Sequence, residues 1–261
     1  MADLSAELVT LLFYLFKGGF YVTVAIVDER APDAAVSALA SRGFRVIKAP
    51  GCNGLPEATR SHPDMLLFSL GRSIVVTEEY YSLAKGFFLL LSSLVPNLKI
   101  IKSKERLSRE YPNDCKLNAL PVGNRLFAKT DSVSGEVISL AKEAGLIITH
   151  TKQGYPSCSV LAPDGSHAVT ADAGMAKLLC RYGIEVLKID ACGIRLPPYE
   201  YGFIGGASGT HGNEIYFYGD LSTHKDGELI RNFCISAGYA PISLCDGPLI
   251  DLGRIIFIDS D

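Results

Sequence analysis

Four stretches of this sequence follow a helical pattern, stop at a glycine, and pass at once into a short apolar strand. Ala34 to Arg42 stops at Gly43 before FRVIKA, and Gly135 to Ala144 stops at Gly145 before LIITHT. Ala173 to Tyr182 stops at Gly183 before IEVLKI, and Glu228 to Ala237 stops at Gly238 before YAPISL. A fifth helical run, Glu78 to about Leu94, ends at Pro96-Asn97 before LKIIKS. Glycine supplies the left-handed conformation of a helix C-cap, and proline cannot continue a helix. A chain punctuated this way five times folds as a repeat, and a repeat decides the architecture.

The segments before the helices match as well. SIVVT ends at Thr77, RLFAKT at Thr130, HAVTA at Ala171 and EIYFYG at Gly219, each a β-rich run feeding a helix. Ahead of each lies another short apolar run: DMLLFSL from Asp64, KLNALPV from Lys116, CSVLAP from Cys158 and GFIGGA from Gly202. The first unit has no such opening strand, since YVTVAIV from Tyr21 already feeds a helix, whereas LIDLGRIIFID near the C-terminus is a strand pair followed by none. The expected fold is therefore α/β: a five-bladed α/β propeller of pseudo-five-fold ββαβ repeats, with the C-terminal strands completing the first blade. Closure of that kind removes exposed sheet edges.

One domain is expected over 1–261, with 1–19 an N-terminal helical extension ended by Gly18 and Gly19. Its apolar run Leu8 to Phe16 follows Asp3 and Glu7 rather than a basic segment, so it does not read as a signal peptide. It is far short of the roughly 20 residues that span a bilayer; an amphipathic helix docked on the domain is the expectation, with a homo-oligomer contact or a membrane-surface helix as the alternative. An open doubly wound sheet is the rival architecture, but the turn after its first strand would read DERAPD, without the glycines that admit a pyrophosphate.

Composition narrows the function. Net charge is -3 with no basic run, which argues against nucleic acid as a partner; no membrane partner is expected either. Seven cysteines without a CxxC pair read as reduced thiols of a cytoplasmic protein. No metal-ligand spacing is present, and neither a metal nor a cofactor is expected.

Function should collect in the linkers between units and at the start of each inner strand. Each linker carries one cysteine, and Cys158 and Cys245, each beside an inner strand, are the candidate nucleophiles. His62, at the mouth of such a strand, and His150, at the end of an outer strand, are the histidines that could serve as general base. Of the two, His62 is the catalytic candidate. Asp64, Asn118 and Asp251 hold similar places in their inner strands, with Gly205 and Gly206 in the fourth unit leaving room or backbone amides for a ligand. Glu57, Gln153 and Asp246 fall at the rim. Such acceptors suit a small polar, cationic ligand such as a guanidinium or ammonium compound.

With these residues in place, the chain resembles the guanidino-group-modifying, or pentein, superfold. Pro63-Asp64-Met65-Leu66-Leu67-Phe68 looks like the PDxxF inner strand of that superfold, and Asp251-Leu252-Gly253-Arg254-Ile255 like the strand before its catalytic cysteine. The phrases HPDM, GFIGGASG and PLIDLG are similar to an uncharacterised branch of it. The resemblance implies a hydrolase or transferase acting on a guanidino or amino-acid-like compound. Two departures stand against the usual mechanism. The acid expected three residues after Phe68 is Gly71, and the nucleophilic cysteine would fall near Ile256-Phe257, both apolar. A non-catalytic scaffold or interaction module of the same fold is the alternative.

Overall fold

The computed structural model describes residues 22–260; the helix expected over 1–19, and any contact between copies through it, lies outside the described residues. Strand β1 (Thr23–Asp28) passes through α1 (Asp33–Ala40) to β2 (Arg45–Ala49), which pairs with it in parallel. The same hand-over recurs along the chain. In the second sheet β3 (Leu67–Leu70) lies antiparallel to β4 (Ser73–Thr77), and β4 parallel to β5 (Lys99–Ser103). Strands β6 (Ala119–Val122), β7 (Arg125–Ala128) and β8 (Ile147–His150) repeat that order. So do β9 (Val160–Leu161), β10 (His167–Thr170) and β11 (Glu185–Lys188).

The fifth sheet holds β13 (Ser208–His211), β14 (Glu214–Phe217) and β15 (Ala240–Ser243). The chain end completes the first sheet, as expected: β17 (Ile256–Asp259) runs antiparallel to β1, with Ala25 opposite Phe257. A two-stranded parallel pair, β12 (Ile194–Arg195) with β16 (Leu249–Ile250), stands apart from these sheets.

Burial explains why each sheet has this order. The central strands are buried almost throughout: VAIV of β1, IVVT of β4, LFA of β7, AVT of β10 and IYF of β14. Strands covered on both faces read as continuous apolar runs. The strands after the helices alternate or expose their ends, as in KIIKS and EVLK, because they form the outer edge. Helices α3 (Glu78–Leu83) and α4 (Lys85–Leu94) break at Ala84, so the single expected helix is two, and α4 turns Phe88 and Leu91 into the core against β3 and β4. Each such side chain contributes about 1.5–3 kcal/mol by leaving water.

The expected helix stops are in place. Gly43, Gly145, Gly183 and Gly238 have φ of 90°, 76°, 80° and 88°, and Asn97 takes the fifth position at 62°. The inner strands begin later than expected. Asp64 lies in a one-turn helix, α2 (Pro63–Leu66), and Cys158, beyond α5 (Gly135–Glu143), in another, α6 (Pro156–Ser159). Asn118 ends a turn, and GFIGGA is a loop and turn preceding β13 rather than a strand. Proline at the first helical position favours both short helices.

Two expectations test this fold. A Cβ at Gly145 would meet nothing within 4 Å, so Gly145→Ala isolates the left-handed backbone cost, about 1 kcal/mol in chemical denaturation. Asn97→Gly should be neutral or slightly stabilising, and an unchanged Gly145→Ala would contradict the C-cap.

The second concerns the β1–β17 clasp. The Thr23 hydroxyl donates to Asp259 Oδ1 at 2.6 Å, and His211 Nε2 lies 3.0 Å from the same oxygen. Burial alone would raise the Asp259 carboxyl, but the Thr23 hydroxyl and the His211 ring outweigh it and hold it below its ordinary value. A depressed carboxyl stabilises the fold above its unfolded pKa of about 3.9, and that contribution is lost as pH falls through the folded value. The side chain is 59% exposed, so Asp259→Asn should cost less than about 1 kcal/mol at neutral pH. The gap from wild type should close as the pH falls through that lowered folded value.

Candidate functional site

The turns that lead into the inner strands meet in a ring of hydrogen bonds. Asn118 Nδ2 lies 3.1 Å from Asp64 O, 3.3 Å from Asp64 Oδ2 and 3.1 Å from Cys158 Sγ. An amide with only two hydrogens shares them among these acceptors. Asn118 Oδ1 accepts from Ser157 N at 2.9 Å. The Gly206 N–H donates to Cys158 O at 2.9 Å, and the Leu252 N–H to Gly206 O at 3.1 Å. The Arg254 N–H then donates to Asp64 Oδ1 at 3.2 Å and returns the ring to its start. Across it, the Cys158 thiol donates to Asp64 Oδ2 at 2.9 Å. One bond after another thus links the segments before β3, β6, β9, β13 and β17.

Arg254 locks this ring from within. Its Nε donates to Ser157 Oγ at 3.0 Å, and its Nη2 to Ser157 O at 3.0 Å and Val160 O at 2.6 Å. Burial draws the guanidinium below its ordinary pKa, and the neighbouring Asp64 and Cys158 act in the opposite sense. Asp251 accepts from Phe203 N at 2.8 Å and Gly253 N at 3.1 Å. Burial raises its carboxyl above the ordinary range.

Gly206 is needed here, because a Cβ would strike Asp251 Oδ1. Gly205 is pressed against the backbone carbonyl oxygens of Ser157, Cys158 and Val160. These glycines admit neighbouring chain segments, whereas the sequence pattern suggested space for a ligand.

A cavity of about 340 Å³ opens beside the ring. Cys158, His62 and Asp251 line it, with Met65, Asp114 and Tyr155, and its outer part is walled by Leu196, Tyr199, Glu200, Tyr201 and Phe203. The parallel pair β12–β16 carries that wall, since the Asp251 N–H donates to Arg195 O at 2.9 Å. His62 is fully buried, and neither ring nitrogen has a hydrogen-bond partner among the described residues. Its Nδ1 lies 3.6 Å from Asp251 Oδ1, beyond hydrogen-bond reach. Gly253, at φ 72°, backs onto the His62 side chain with no room for a Cβ. Burial pushes the Cys158 thiol well up, and Asp64 and Asp251 push it further. The resting group is a thiol.

The structure separates the other candidates. Asp64 does not line the large cavity; it lines a smaller one of about 100 Å³ with Ser157, Arg254 and Ile256, and its oxygens are already engaged. Cys245 and Asp246 lie together in another surface depression with Asp220, away from Cys158, because Cys245 follows the outer strand β15 and not an inner one. Glu57 is exposed at the surface and its carboxylate is 3.6 Å from Arg60 Nη1. Gln153 does not line the cavity but holds the backbone of Tyr155, which does: Nε2 donates to Asp172 Oδ2 at 2.8 Å, and Oε1 accepts from Tyr155 N at 3.2 Å. Phe257 packs among Phe44, His211 and Tyr216, so no thiol stands at that position.

Sequence reasoning missed Arg254 and Asp114. A lone cation inside the apolar run LIDLGRIIFI was a readable signal, since arginine is almost never fully buried without partners. Asp114 carried none; it is revealed by the Tyr155 hydroxyl donating to its Oδ2 at 2.6 Å, with Oδ1 buried and unpartnered among the described residues.

No curated protein matches the sequence. Among solved structures the chain is similar to SxtG, an amidinotransferase from Microseira wollei in the saxitoxin biosynthetic pathway. The two share 12% identity at a TM-score of 0.51, over 81% of this chain and 73% of that one. It is also similar to a dimethylarginine dimethylaminohydrolase solved as an adduct with S-methyl-L-thiocitrulline. There the identity is 12% and the TM-score 0.54, over 86% of this chain and 92% of that one. These likenesses establish the α/β pentein fold of guanidino-modifying proteins. The model of the Family of unknown function (DUF6873) matches residues 26–256, and the chain belongs to that family.

Proposed function

We propose that the chain is a small-molecule pocket protein of the guanidino-modifying fold, in which Cys158 attacks the carbon of a cationic amidino or guanidino group. In this reading the five three-stranded sheets are the blades of a closed propeller, and the large cavity opens on its axis. The observation that carries it is the convergence of a thiol, an unpartnered imidazole and a carboxylate at one cavity: Cys158, His62 and Asp251.

The acidic lining of the cavity, with Asp114, Glu200 and Asp251, favours entry of a cation. The cation offsets the two carboxylates that hold the proton on Cys158, and His62 accepts that proton. The sulfur lone pair forms a bond to the amidino carbon while the C=N π pair moves to nitrogen. Collapse of the tetrahedral adduct breaks one C–N bond, and the departing amine takes the proton from His62. An S-amidino enzyme remains, and water or an acceptor amine releases it, which makes the protein a hydrolase or a transferase. Asp64 sets the position of the sulfur through its hydrogen bond and does not touch the ligand.

A scaffold reading has one observation in its favour: Arg254 already fills the ring with a guanidinium of the protein's own. Covalent labelling separates the two. A cationic haloacetamidine should modify Cys158, located by peptide mass spectrometry, about tenfold faster than a neutral haloacetamide of the same reach. That ratio corresponds to about 1.4 kcal/mol of charge preference. Labelling confined to the exposed Cys180 and Cys192, or faster with the neutral reagent, sinks the catalytic reading. Guanidino compounds that raise the melting temperature should do so less with Asp251→Asn, which should weaken binding by on the order of 1–3 kcal/mol.

A further inference from the structure

We infer that His62, Asp64 and Cys158 form a binding site for a divalent metal ion of the zinc class. One donor atom from each, an imidazole nitrogen, a carboxylate oxygen and the thiol sulfur, lies within 4.8 Å of the others. All three residues are buried, so this is not a chance cluster of surface acids. The second and independent observation is His62 itself. Its side chain is fully buried, lines the large cavity, and has both ring nitrogens without a hydrogen-bond partner among the described residues. A buried imidazole in that state is a ligand awaiting its counterpart.

The surrounding groups have the arrangement that orients metal ligands. Asp251 Oδ1 is the acceptor nearest His62 Nδ1, at 3.6 Å. A small closure would let it accept the Nδ1 proton and leave the Nε2 lone pair free for the ion, the carboxylate–histidine–metal relation. The Arg254 backbone N–H takes Asp64 Oδ1, while Oδ2 accepts the Cys158 thiol proton at 2.9 Å, the proton that metal binding would remove, so loss of that proton frees Oδ2 to ligate. Asn118 Nδ2 already donates toward the Cys158 sulfur, a contact that favours the thiolate once the ion has displaced the proton. The cavity supplies an open fourth position.

A mixed sulfur, nitrogen and oxygen set selects zinc, cobalt or nickel over magnesium and calcium, which take oxygen ligands. Binding replaces the Cys158 S–H bond with a sulfur–metal bond and releases that proton to solvent, so thiolate and Asp64 carboxylate together balance the charge of the ion. The ion and an electrophile then compete for one sulfur.

Cobalt(II) titrated into the metal-free full-length chain is the direct probe. The expected result is one ion per chain, with a near-ultraviolet thiolate-to-cobalt charge-transfer band and the intense visible bands of a tetrahedral site. Cys158→Ser should abolish the charge-transfer band. His62→Ala should weaken cobalt binding at least about tenfold, and Asp251→Asn about 10-fold to 100-fold with the band retained. Zinc should displace the cobalt and protect Cys158 from the neutral alkylating agent. No charge-transfer band in wild type, or a band that persists in Cys158→Ser, overturns the inference. Because Cys158→Ser is nearly isosteric, the result stands even where His62→Ala fails to fold. Absence of the band alongside fast cationic labelling of Cys158 would remove the metal and leave the proposed chemistry intact.

Discussion

The carboxylate of Asp64 is the group on which the site depends. It accepts hydrogen bonds from the Cys158 thiol and the Arg254 backbone, and Asn118 reaches its carboxylate and its carbonyl. These donors come from three segments far apart in sequence, so one side chain ties together turns that lead into separate sheets. Buried carboxylates are costly unless paired and hydrogen-bonded. Asp64 is hydrogen-bonded by three donors, and the charge of the buried Arg254 acts on it electrostatically. The interaction is reciprocal, which is why the cluster has one geometry.

That geometry has an electrostatic consequence. Arg254 is buried beside Asp64, with Nε and Nη2 donating to Ser157 and Val160. Its charge offsets that of Asp64 on the side away from the large cavity, where Asp64 and Arg254 share the smaller one. Asp251 is left as the carboxylate facing the larger space beside His62 and Cys158. In the proposed reading, attraction of a cation rests on Asp251, Asp114 and Glu200 of the cavity lining rather than on a ring of equivalent acids. The glycines around Asp251 follow from the same crowding. Gly206 and Gly202 leave room that a Cβ would take from it, and Gly253 leaves room for His62.

Much of the fold was legible because its signals are local. A left-handed C-cap needs glycine or asparagine, and Gly43, Asn97, Gly145, Gly183 and Gly238 announce themselves. The doubly covered central strands are equally plain as apolar runs. The site was legible only in part. Cys158, His62 and Asp251 could be picked out by place in the repeat, and they do meet. The turn before each inner strand could not be told from the strand itself, although Pro63 and Pro156, each opening a one-turn helix, were usable markers. Cys245 stood in the same kind of linker as Cys158, yet only tertiary structure shows that it lies in another depression. The wall from Leu196 to Phe203 was opaque because its position depends on β12 pairing with β16, across more than fifty residues.

The account turns on whether Asp64 and Cys158 act as one unit across the ring. A double-mutant cycle measures this directly, with Asp64→Asn, Cys158→Ala and the double variant compared in chemical denaturation. Residues in one hydrogen-bonded network couple by about 0.5–3 kcal/mol. The expected coupling is at the upper part of that range, because a buried charge loses a donor in one single variant and a thiol loses its acceptor in the other. Effects that add within about 0.3 kcal/mol, in variants that all fold, would show that the two side chains are independent. The ring would then not be what holds the site together.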